Sequence, residues 1–143
     1  VIGAGPLDEC LRGIADKEAW IKPVGEKYGQ EKAHYLMVGD IFVLPSNVGL
    51  SILDGFAAGL PVVVSRFNNH PEIAYLQDGV NGVLTEATPD AYAAVLIRLA
   101  KDEALRKNMG AAAKRIAAQY SVQGMAENFS EGIERALEIF PGD

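Results

Sequence analysis

Apolar and polar positions fall into a repeated pattern of strand, turn and helix. Val1-Ile2 is a strand stub, and Gly3–Pro6 is a turn. Leu7, Leu11 and Ile14 recur at helical spacing, which predicts a helix over 7–18. Trp20–Val24 reads as a short strand closed by Gly25, and Gln30–Val38 as a helix. Ile41-Phe42-Val43-Leu44 is an unbroken apolar run, as expected of a parallel strand buried on both faces. Leu50–Ala58 reads as a helix with Gly59 at its C-terminal cap, and Pro61–Ser65 as a second apolar strand. A short helix over Glu72–Leu76 and a last strand, Gly82–Thr85, follow. Asp78-Gly79 and Asn81-Gly82 are tight-turn signals around that strand.

The rest is helical. Thr88 caps one helix with Pro89 at its first position, Asp102 caps the next, and Ser121 caps the last. Val122, Met125, Phe129, Ile133 and Ala136 form the apolar stripe of the last helix. Strands alternating with helices predict an α/β fold, a Rossmann-like three-layer αβα domain with a mostly parallel sheet. Ligands of such sheets sit at the carboxyl ends of the strands.

The chain has 143 residues, 49 % of them apolar, enough for a single domain over 1–143 with a real core. The net charge is −6 and no basic block is present, which argues against nucleic acid or anionic lipid as a partner. The longest apolar runs are too short to span a bilayer. One cysteine, Cys10, cannot form an internal bridge, so a reducing, cytoplasmic setting is the expectation. The first strand is only two residues long and no Met precedes it, so the chain reads as a piece of something longer.

Gly3-Ala4-Gly5-Pro6 after a strand invites a dinucleotide-binding reading, NAD or FAD in an oxidoreductase domain. Asp8 stands where that motif needs its third glycine, and a carboxylate there repels a pyrophosphate. Glu26 is a poor match for the expected ribose-binding acid. The stretch Pro45–Val63 is different in kind. A buried strand ends in a loop containing Gly49, and a helix begins at once. Backbone N–H groups of Val48, Gly49 and Leu50 at a helix start are suited to an anion, and Gly49 allows close approach. Asp54, one turn in, is placed to accept hydrogen bonds from sugar hydroxyls.

This stretch resembles the nucleotide-sugar loop of family 4 retaining glycosyltransferases of the GT-B fold, P-S-x-x-E-G-F-G-L-x-x-L-E-A-M-A-x-G-x-P-V-V. Gly49-Leu50, Leu53–Ala57 and Gly59–Val63 carry the match. Val1–Pro6, Trp20–Gly25, Tyr35–Ser46, Asn68–Glu72 and Asp78–Leu84 resemble further family segments in the same order. The resemblance implies the C-terminal, donor-binding half of such an enzyme, with its first strand missing. That strand, by analogy, lies between those at Val1-Ile2 and Ile41–Leu44.

What the resemblance implies for the site is specific. Asp54 takes the place of the family glutamate that binds the ribose, and backbone near Val24 and Gly25 lines the base. Ser46 stands where the family has the glutamate that contacts the transferred sugar, and Asn47 supplies an amide to sugar or phosphate instead. The implied function is transfer of a sugar from a nucleoside diphosphate donor to an acceptor, with retention. No cofactor and no metal are expected, the helix dipole and basic residues neutralising the diphosphate. The Arg and Lys that clamp it in the family belong to the missing strand and loop. This chain alone is therefore expected to be inactive, with an N-terminal acceptor domain as its partner. The absent family glutamate also fits a non-catalytic nucleotide-sugar-binding module.

Other chemistry is sparse. His34 and His70 have no metal-ligand spacing. His70 and Glu72 lie in or beside a polar loop at the ligand end of the sheet, as candidate contacts to substrate or to the other half. Lys22, Lys27 and Arg66 are candidate phosphate neutralisers, though each also fits solvated surface charge. An exposed sheet edge or terminal helix would favour self-association.

Overall fold

The apolar runs form a parallel sheet and the periodic segments form helices around it. The structure is a computed structural model and describes residues 1–46, 48–67 and 71–139. It divides into two compact units, Val1–Val38 and Gly39–Asp143.

The first unit holds α1 (Asp8–Ala15) and α2 (Gly29–Met37). Its extended segments meet at a single parallel bridge, Ile2 with Gly25. The Val24 amide donates to the Val1 carbonyl at 3.0 Å, and the Gly3 amide to the Gly25 carbonyl at 2.9 Å. The strand expected over Trp20–Val24 is thus reduced to its end. Pro23 has no N–H to offer a ladder. Trp20 is accordingly 79 % exposed. Leu36 is the buried hydrophobic residue of this unit.

The second unit runs β1 (Phe42–Leu44), α3 (Ser51–Ala57), β2 (Val62–Ser65), a 3₁₀ turn (Pro71–Tyr75), β3 (Gly82–Thr85), α4 (Pro89–Lys101), α5 (Glu103–Ala117) and α6 (Val122–Ile139). The strands pair in parallel in the order β1-β2-β3, with Leu44, Val64 and Leu84 in register. Strand alternation sends side chains to two cores. Val62 and Val64 join Val48, Ile52 and Phe56 beneath α3, with Ala113 of α5. Val63 and Val83 join Leu99 of α4 and Met109 of α5 on the other face. Helices therefore cover both faces, the three-layer arrangement that the alternation predicts.

β1 departs from expectation. It is an edge of this sheet, and Val43 is 40 % exposed rather than buried. The apolar run reports what the strand can bury, and only β2 pairs with it here. The caps are as expected: the Thr88 hydroxyl accepts from the Ala91 amide, and the Asp102 carboxylate from the Leu105 amide at 2.8 Å. The helix expected over Glu72–Leu76 is the 3₁₀ turn, one residue earlier. Every residue of α6 is exposed apart from half-exposed Gly124.

Candidate functional site

The candidate residues separate between the two units. Val24 and Gly25 belong to the first, where Gly25 adopts φ +71° and its carbonyl is taken by Gly3. In the same unit, Asp8 accepts from the Gly5 amide at 2.9 Å. The carboxylate thus occupies the start of α1, the position a dinucleotide pyrophosphate would need, and the dinucleotide reading is not favoured.

In the second unit the loop after β1 leads into α3. Val48 is 2 % exposed and anchors the loop in the core with Ile52 and Phe56. Its side chain is therefore structural, and a residue this buried offers a ligand almost no surface, backbone included. Anchoring at Val48 presents Leu50, which is 64 % exposed, and half-exposed Gly49 on the outer side. The Gly49 and Leu50 carbonyls accept from the amides of Ile52 and Leu53, so this turn winds directly into the helix. A Cβ on Gly49 would meet nothing within 4 Å, and no positive φ requires glycine there. The fold does not demand this glycine. Asp54 lies in the first turn of α3, half-exposed. Ser46 is exposed at the end of β1. Asn47 and His70 lie outside the described residues. Glu72 is half-exposed in the 3₁₀ turn, and the neighbouring Ile73, Tyr75 and Leu76 pack against the core beneath α3.

The carboxyl ends of the strands carry more than the sequence pattern singles out. Leu44, Val64 and Leu84 lie in register on the α3 face, and two residues beyond them the chain carries Ser46, Arg66 and Glu86, of which Arg66 and Glu86 meet. The Arg66 amide donates to the Thr85 carbonyl at 2.8 Å, and its guanidinium pairs with Glu86 at 3.3 Å. On the opposite face a largely apolar cleft of about 480 Å³ opens between Pro45, Ser65, Phe67 and α4. The Ser65 hydroxyl donates to the Pro45 carbonyl, tying β2 to the start of the loop. The Tyr92 hydroxyl, lining this cleft, donates to the Val63 carbonyl at 2.6 Å, and burial pushes its pKa up. Strand parity would have revealed Glu86. Phe67 and Tyr92 carry no motif.

Among the described residues no cluster of three or more His, Cys, Asp or Glu is disposed to hold a metal ion. No described helix is long and apolar enough to cross a membrane.

Comparison with known proteins bears on this arrangement. The family model described as glycosyl transferases group 1 matches residues 1–102. The amylovoran biosynthesis glycosyltransferase AmsK of Erwinia amylovora is 37 % identical over 117 residues, 73 % of this chain and 28 % of its own length. Among solved structures, sucrose-phosphate synthase from Thermosynechococcus elongatus superposes with a TM-score of 0.79 at 18 % identity, over 96 % of this chain and 38 % of that one. Anabaena Alr3699/HepE in complex with UDP-glucose gives a TM-score of 0.75 at 20 % identity, over 94 % and 40 %. These structures share the Rossmann-like α/β fold. The chain spans about a quarter of the length of the curated relatives it matches. The family match takes in the loop after β1, all three strands of the sheet and α4, and it makes this chain a member of the glycosyl transferases group 1 family.

Proposed function

We propose that this chain is the nucleotide-sugar-binding part of a longer retaining glycosyltransferase, which moves a sugar from a nucleoside diphosphate donor to an acceptor. The observation that carries the reading is the family-matching loop at the carboxyl edge of a parallel sheet. There Gly49 opens onto space that the fold does not fill. Binding of a phosphate close to the backbone is a reason for glycine at such a position.

The loop amides would stabilise charge that grows on the diphosphate as the glycosidic bond breaks. With seven residues, α3 adds only a short dipole to this. Asp54 would accept hydrogen bonds from ribose hydroxyls, and Ser46 and Asn47 would meet the transferred sugar or a phosphate. For Val24 and Gly25, the base-lining role follows from the resemblance alone. The reading invokes no metal and no cofactor. The acceptor would bind a domain outside this chain, and α6, with its exposed stripe, would bury that face against another protein surface or a second copy.

The test is titration of the chain with UDP, GDP, ADP and NAD, followed by amide NMR. UDP goes first, because the fold neighbour HepE is solved with UDP-glucose. Shifts at Gly49, Leu50 and Asp54 with one nucleoside diphosphate are expected. Shifts confined to Gly3–Asp8 with NAD would sink the proposal.

A further inference from the structure

We propose that Arg66 takes a phosphate oxyanion of the donor and that Glu86 holds it in a competing ion pair until the donor binds. The inference rests on the donor-site reading above and assigns to that site a cation that the loop itself does not supply.

Three observations carry it. Among the described residues of the second unit, Arg66 is the only basic residue within two positions of the carboxyl end of a strand. Its place follows the register: Arg66 comes directly after the Ser65–Thr85 pair, two residues beyond Val64 of the α3 face, and it meets Glu86 there. Neighbouring strands lie about 4.8 Å apart, so a guanidinium reaches either neighbour without backbone movement. Its backbone is also held. The Arg66 amide is fixed on Thr85, and the preceding Ser65 hydroxyl on Pro45, where the donor loop begins.

The side chain, by contrast, is loosely held. The pair with Glu86 runs from Nε to Oε1 at 3.3 Å, with side chains 51 % and 72 % exposed. That is longer than a charge-assisted hydrogen bond of about 2.8 Å, and an exposed pair of this kind contributes little. A phosphate presents more negative charge and can engage the guanidinium fork at two points. It would therefore displace the carboxylate. Glu86 would then act as an occupant that any ligand must outcompete. A purely structural bridge between β2 and β3 makes the opposite prediction for Glu86, because its loss would leave affinity untouched.

The experiment titrates the 143-residue chain with UDP and, separately, with inorganic pyrophosphate, at low and at physiological salt. Amide shifts and the Arg66 Nε–Hε resonance are followed together. Arg66→Gln is expected to weaken both ligands about 10-fold and to flatten the salt dependence. Glu86→Gln is expected to tighten both by ~3-fold. Arg66→Lys should restore part of the affinity, since it keeps the charge and loses the fork. All three variants should melt with the wild type. An Arg66→Gln chain that binds like wild type, a Glu86→Gln chain with unchanged affinity, or absence of any pyrophosphate binding would each overturn the inference. Shifts at Gly49 and Leu50 that ignore Arg66 would overturn it while leaving the donor loop standing. Arg66-dependent binding without shifts at Gly49 and Leu50 would support the anion contact and remove the loop from the site.

Discussion

Replacing Gly110 with alanine tests the packing that sets α3, and with it the candidate donor loop. Gly110 lies in α5, where that helix crosses the end of α3. A Cβ at Gly110 would stand 2.0 Å from the Gly59 carbonyl oxygen and 3.0 Å from its carbon. A carbon–oxygen contact needs about 3.3 Å, so the helices would have to part by more than ~1 Å. The atom in the way is backbone and cannot rotate aside. Nor is Gly59 free to yield. It holds φ +75°, donates to the Phe56 carbonyl, and precedes Leu60, whose amide donates to Gly55. Shifting it would break the C-terminal cap of α3. Overpacking of this kind costs about 3 kcal/mol, and the better helix propensity of alanine offsets about 1 kcal/mol. The expected net loss is about 2 kcal/mol, roughly 10 °C in Tm for a unit of this size. Urea unfolding followed by circular dichroism should show a lower midpoint with an unchanged slope. Gly132→Ala is the control, because a Cβ there meets nothing within 4 Å. A Gly110→Ala chain that melts within about 2 °C of wild type would refute the close-approach argument.

Three further outcomes are expected. Asp54→Ala should raise the Kd for the cognate nucleoside diphosphate about 10-fold, as loss of a charged hydrogen bond does, and unchanged affinity in calorimetry removes Asp54 from the site. Tyr92→Phe should cost about 1 kcal/mol at neutral pH through its lost bond to Val63. Burial also raises the Tyr92 pKa above its ordinary 10.0, so its contribution is whole below about pH 10 and declines as pH rises further. Urea midpoints between pH 8 and 11 should therefore fall more steeply for wild type than for Tyr92→Phe, and parallel curves would exclude this source. Phe129→Glu should lower any concentration-dependent association in sedimentation velocity while leaving Tm within about 2 °C, because Phe129 is 72 % exposed on α6. A large drop in Tm would mean that α6 packs where it is now exposed.

Local signals were legible where the deciding interaction is local. Thr88, Asp102 and Ser121 bond amides three residues on, so the caps follow from the chain itself. Gly82–Thr85 was readable because two turn signals lead into a short apolar run. Strand status over Trp20–Val24 was not, since a strand exists only by pairing and Pro23 weakens the one ladder on offer. Asn81-Gly82 shows the same limit. The dipeptide marks a turn, yet Asn81 is fully buried, accepting from the Gln77 amide and donating to the Tyr75 carbonyl. Sequence reveals the preference for a turn and is silent on whether the chain folds over it.

The site divides along the same line. The loop from Pro45 to Asp54 is contiguous, so its pattern survives in one stretch and resemblance can find it. Ser46, Arg66 and Glu86 are each twenty positions apart in sequence, separated by a crossover through α3 and another through the 3₁₀ turn. Nothing in the residues between them sets their spacing as neighbours. Arg66 and Glu86 meet because β2 and β3 pair in register up to Ser65 and Thr85, the residues just before them. A slip of one residue in β2 would turn Arg66 toward the α4 face, beside the apolar cleft, and bring Ser65 to the α3 face. In the observed register Val62 and Val64 fill the core beneath α3 and Val63 the core on the other face. The pairing of β2 with its neighbours, rather than anything local in its three valines, thus sets which polar residue stands beside Glu86 at the carboxyl edge.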